Sequence, residues 1–146
     1  MALGGGVYAV PNTPEFAGRI VQLGERIEEG GGVALKFEAV AMTEADDKFM
    51  KRMFEVARTD EYMQVARGAK RLIEHIRREL ERRDFRFAEL ETLEEELEKV
   101  RRQHKRVVER DHLGTPAKEE AASAILEAEK ALQAYLEKAY ENENRA

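Results

Sequence analysis

The three histidines, His75, His104 and His112, are the side chains in this sequence best suited to metal or acid–base chemistry. His104 continues the apolar spacing Leu90, Leu93, Leu97, Val100 and Val107, so it falls in a seam where a metal or haem ligand can hide. Glu109 and His112 have the Glu-x-x-His spacing of di-iron bundles, but those need two such pairs and two further glutamates on facing helices. Only one pair is present, and no His-x-x-x-His places two ligands on one helix face. Structural histidine is therefore the reading, and neither a metal nor a cofactor is expected. Thiolate and disulfide chemistry are excluded because the chain has no Cys. Ser123 is the sole serine, lies in an Ala-rich stretch and lacks a Gly-x-Ser-x-Gly frame. The acidic run "ELETLEEELE" is interleaved with Leu90, Leu93 and Leu97, which marks one amphipathic helix with a solvated face. Gly4–Gly6 precede an apolar segment and Gly30–Gly32 follow a helix, so neither is a phosphate loop.

Binding is the remaining class, and the basic residues carry it. Between Arg67 and Arg110 there are 14 Lys/Arg against 11 Asp/Glu, a net of +3 in a chain of net charge −5. Arg77, Arg78, Arg101, Arg102, Lys105 and Arg106 fall on two consecutive helical stretches and form a candidate set of phosphate contacts for DNA. The competing reading is a solvated surface with ion pairs such as Glu74–Arg78 and Glu98–Arg102, four residues apart. Aromatic residues, which stack on single strands, do not interleave with the cluster. Phe49, Met50, Met53 and Phe54, with Tyr62 and Met63 beyond them, crowd into a short stretch. They serve either an internal core or a dimer seam, since Met and aromatics suit buried contact patches.

These residues need elements to hold them. Val7–Val10 reads as a short strand stopped by Pro11, and Thr13-Pro14 opens a helix that carries Phe16, Ile20, Leu23 and Ile27 to the Gly30–Gly32 stop. "VALKFEAVAM", residues 33–42, alternates Val33, Leu35, Phe37, Ala39 and Ala41 with Lys36 and Glu38, the pattern of a second strand. Thr43 and Asp46 then resemble a capping box. Everything beyond is helical: one helix to about Ala57, a second through Tyr62, Val65, Ala69, Leu72, Ile76 and Leu80, and a third through Leu90 to Val107. After Gly114 and Thr115-Pro116, a last helix carries Ala121, Ile125, Ala128, Leu132, Tyr135 and Ala139. Seam spacing and short connections predict an antiparallel bundle or coiled coil.

The expected class is α+β and mostly helical, with a β-α-β lobe over residues 1–42 and a helical bundle over 43–146. Two strands joined by one helix leave both sheet edges unpaired. A second copy of the chain, as a homodimer, or further chain is expected to supply the missing strands. No apolar run reaches the ~18 residues of a membrane span, and no signal-peptide pattern opens the chain. A cytoplasmic location is expected, with no membrane partner.

"VYAVPNTPE", "DEY", "FAELETLEEELEKVRR" and "ERDHLGTP" resemble the N-terminal region of the chromate-resistance protein ChrB, and the order of parts agrees through "AILEAEKALQAYLEKAY". The resemblance implies a ferredoxin-like start related to PaaX-type regulators, truncated here because the family's module begins with a further strand and helix. In that arrangement the first strand lies between the two retained in this sequence. The resemblance also implies a chromate-responsive transcriptional regulator whose full-length form carries a C-terminal sensor domain. Gln103, His112 and Leu113 stand where the family has aromatics. The function expected is a regulatory or accessory module of chromate resistance that contacts promoter DNA. The alternative is an interaction scaffold, a homodimer or the partner of a separate chromate-sensing domain, without DNA. A third class, an iron-holding redox enzyme using His104 or His112, is not favoured by the residues, and no enzymatic activity is expected.

Overall fold

The computed structural model describes residues 2–4, 6–83, 85 and 87–143. Its elements are β1 (Ala2–Gly4), β2 (Val7–Tyr8), α1 (Pro14–Glu29), α2 (Glu44–Arg82), α3 (Phe87–Val108) and α4 (Ala117–Glu143). The chain is thus mostly helical, and it divides into compact units over residues 1–54 and 55–146.

In the first unit, β1 and β2 form an antiparallel hairpin that pairs Ala2 with Tyr8 and Gly4 with Val7. Gly6 turns it at φ +79°, a conformation a side chain resists. Pro14 starts α1, with Thr13 Oγ1 accepting from the Phe16 N–H at 3.4 Å. The helix stops because Gly31 takes φ +81°. The Gly32 N–H then reaches Ile27 O at 2.8 Å and the Gly31 N–H reaches Glu28 O at 2.9 Å, a Schellman pair that satisfies the last carbonyls.

The strand expected over residues 33–42 does not form. Residues 32–41 carry no regular structure, and the β-α-β lobe is replaced by a hairpin, a helix and an open segment. The reason is physical: alternation makes a segment fit for a sheet, but a neighbour must supply the ladder. The short β2 is taken by β1, and no other strand is offered among the described residues.

Thr43 caps α2, its Oγ1 accepting from the Asp46 N–H at 3.1 Å and donating to Asp46 Oδ2 at 2.6 Å. One helix replaces the two expected across Ala57. Residues 57–61 contain neither Gly nor Pro, and Arg58 pairs with Glu61 at 2.8 Å, so nothing breaks the backbone ladder there.

The second unit is a three-helix bundle. His75 of α2 meets Glu89 and Glu96 of α3, while Tyr62 meets His104, so α3 runs back along α2. Arg101 of α3 meets Glu129 of α4, and the Phe85 ring packs tilted against Tyr135 at 5.5 Å, so α4 returns parallel to α2. The buried core takes Tyr62, Val65, Ala69, Leu72 and Ile76 from α2 and Leu90, Leu93, Leu97, Val100 and Val107 from α3. Ala121, Ala124, Ile125, Ala128, Leu132 and Tyr135 come from α4, where the alanines leave room for close approach. No helix among the described residues is long and apolar enough to cross a membrane.

Candidate functional site

The six basic residues divide into three situations. Arg77 and Arg78 are exposed on α2 beside the start of α3, near His75. Arg102, Lys105 and Arg106 are exposed near the end of α3, beside Tyr62. His75 and Tyr62 are thirteen positions apart on α2, so about 20 Å of helix separates the two groups. The expected Glu74–Arg78 and Glu98–Arg102 ion pairs are not formed among the described residues. Glu98 instead binds Arg101 at 2.6 Å. Arg101 also donates to Glu129 through Nε at 3.0 Å and Nη2 at 2.6 Å. The hydrogen bonds to Glu98 and then Glu129 raise its pKa further. Arg101 is therefore a clamp between α3 and α4. The remaining cations present their charge to solvent.

The loop between α3 and α4, inside "ERDHLGTP", is organised by Asp111, a residue the sequence reading passed over. Its Oδ1 accepts from the Leu113 N–H at 3.3 Å, the Gly114 N–H at 3.1 Å and the Thr115 hydroxyl at 3.0 Å. Its Oδ2 accepts from the Thr115 N–H at 2.9 Å and the Tyr62 hydroxyl at 3.1 Å. One carboxylate thereby closes the turn and ties it to α2. Burial alone pushes the Asp111 carboxyl up, but the bonds from Thr115, Tyr62 and Leu113 outweigh it and hold the pKa below the usual value. Burial, reinforced by the bond to Asp111, pushes the Tyr62 hydroxyl up to about 12. The local signal was Asp followed by Gly-Thr-Pro; the Tyr62 partner lies 49 residues away and left none.

His104 faces the seam, with its ring 6.0 Å from that of Tyr62 and tilted 55° to it. Its Nε2 is buried without a hydrogen-bond partner among the described residues. Burial, then the Lys118 charge, lowers its pKa from the ordinary 6.5. A base with a depressed folded pKa binds fewer protons folded than unfolded, so its contribution is complete above the ordinary value and declines as pH falls toward the folded one. Stability should therefore drop below about pH 6.5, and His104→Leu should flatten that slope in denaturant melts followed across the range. An unchanged slope would remove His104 as its source.

His112 and Glu109 are exposed in the connection after α3, so their Glu-x-x-His spacing is not turned into the core. His75 is the histidine the fold places among carboxylates. Its Nε2 lies 3.2 Å from Glu89 and its Nδ1 3.4 Å from Glu96. Donor atoms of His75, Glu79 and Glu89 fall within 4.8 Å of one another, the one group among the described residues with the spacing to hold a cation. Glu79 is buried and already bound by Arg82 at 2.7 Å. Through these contacts His75 pins α2 to α3. Phe49, Met50, Met53 and Phe54 lie on α2 in the first unit; Phe49 is 63% exposed and the other three are half-buried.

The family model described as "Protein ChrB, N-terminal" matches residues 1–146. No curated protein and no solved structure matches the chain.

Proposed function

Because the chain belongs to the ChrB N-terminal family, we propose that it is a regulatory or accessory module of chromate resistance that docks on promoter DNA. The observation that carries this reading is the exposed, unneutralised charge of Arg102, Lys105 and Arg106 on α3, with Arg77 and Arg78 on α2, in a chain of net charge −5. Cations already held by carboxylates release no counterions from DNA, whereas these do. Arg101 leaves the docking set because Glu98 and Glu129 hold it. The mechanism is electrostatic, cytoplasmic and non-enzymatic: α3 and α2 hold phosphates and so set orientation, and specificity belongs to contacts beyond them.

An anisotropy titration of a labelled promoter duplex over a salt series tests it. Affinity should fall steeply with salt, and each alanine replacement among the docking residues should reduce the log–log slope by about 0.9. Salt-independent binding, or full affinity after all the replacements, would overturn the reading.

A second reading is a protein-interaction scaffold that forms a homodimer or receives a separate chromate-sensing domain. It draws support from exposed Phe49 beside Met50, Met53 and Phe54. Light scattering with and without the sensor domain separates the two, since a scaffold assembles without any DNA.

A further inference from the structure

The segment after α1 leaves its large apolar residues in solvent, Val40 and Met42 included at 87 and 95% exposed. Lys36 reaches back over α1, where a Cβ added to Gly24 would meet its Nζ at 2.5 Å, and its Nζ lies 3.7 Å from Glu28. Glu38 accepts from Asn12 Nδ2 at 2.6 Å. These alternate residues are thus held from within the unit. Val33, Leu35 and Phe37, between and before them, are 84, 77 and 85% exposed. No strand among the described residues pairs with the segment, so its period-two pattern is spent on solvent.

We propose that residues 33–41 pair edge to edge with the same segment of a second copy, antiparallel and centred on Phe37. The choice of occupant comes from charge. In that register Lys36 of each copy faces Glu38 of the other, and the two-fold axis makes the match twice. Phe37 meets its own counterpart, Leu35 faces Ala39 and Val33 faces Ala41, giving one continuous apolar face. Sliding the pairing by one cross-strand step puts Lys36 opposite Lys36, or Glu38 opposite Glu38. A parallel in-register pairing puts both like pairs together. Only the register centred on Phe37 is favourable in both charge and apolar content. It gives the segment a ladder that no strand among the described residues supplies. The segment shares no residue with the DNA-docking set, so its failure leaves the DNA-docking reading standing.

Charge exchange in the full chain tests it. Light scattering should show a dimer, and K36E or E38K should each weaken it about tenfold, since every single exchange turns two attractive pairs repulsive. The double variant K36E/E38K should recover the original dimer. Because the chain lacks Cys, Phe37→Cys should cross-link to a dimer on mild oxidation while Ala39→Cys should not, its opposite residue being Leu35. A monomer at the highest soluble concentration overturns the proposal. So does a dimer indifferent to the single exchanges, which would place the contact elsewhere, or equal cross-linking at both positions.

Discussion

Asp111→Ala should lower the stability of the helical unit by about 2–4 kcal/mol, one of the two largest single-residue effects expected in this chain. The carboxylate accepts from three backbone N–H groups and two hydroxyls, and alanine leaves all of these donors without it. Three of the losses fall on buried residues: Thr115, which donates twice, is 2% exposed and Tyr62 is fully buried, so water does not replace the partner there. Asp111→Asn should recover only part, because one acceptor oxygen becomes an NH2 group aimed at donors. The pH dependence has a defined sign. Asp111 has a depressed folded pKa, so its contribution is complete above the ordinary carboxylate range and fades as pH falls through the lower folded value. The gap between the parent and Asp111→Asn should therefore narrow in acid. Urea melts followed by far-UV circular dichroism read both quantities, and an unchanged midpoint for Asp111→Ala would refute the clasp.

Leu93→Ala should cost about 2–5 kcal/mol. Leu93 is 0% exposed in the core cluster, among residues of all three helices of the bundle. Arg101–Glu129 and Phe85–Tyr135 bring the Leu132–Leu136 end of α4 to the level of Leu93, and Leu132 and Tyr135 are already packed in the core. Collapse into the cavity would require the helices to shift, which the contacts between them oppose, Arg101–Glu129 between α3 and α4 and His75–Glu89 between α2 and α3. The same substitution at Leu126, 50% exposed on α4, should change stability by no more than about 0.5 kcal/mol. Comparable losses at the two positions would contradict the assigned core.

Several parts of this architecture were legible from local chemistry. The Thr13-Pro14 opening and the glycine stop of α1, the Thr43 cap of α2 and the Leu90–Leu93–Leu97–Val100 seam of α3 all appear where their residue types demand. Capping and helical spacing involve residues within one or two turns of each other, so the sequence states both partners at once. The apolar pattern of α2 changes phase near Ala57, which suggests two helices, but no breaker accompanies the change and one helix runs through.

By itself, then, the sequence determined a mostly helical chain, the apolar face of each bundle helix, the excess of cations between Arg67 and Arg110, and the family resemblance. Tertiary structure alone decided which cations stay free, since Glu129 lies 28 residues from Arg101 and claims it, leaving Arg102 exposed. It also decided that Asp111 ties a loop to Tyr62, and that residues 33–41 find no partner strand among the described residues. Spacing along a chain says which face of an element is apolar or charged. Which group meets that face depends on elements far away in sequence, and a ladder or an ion pair exists only once they arrive.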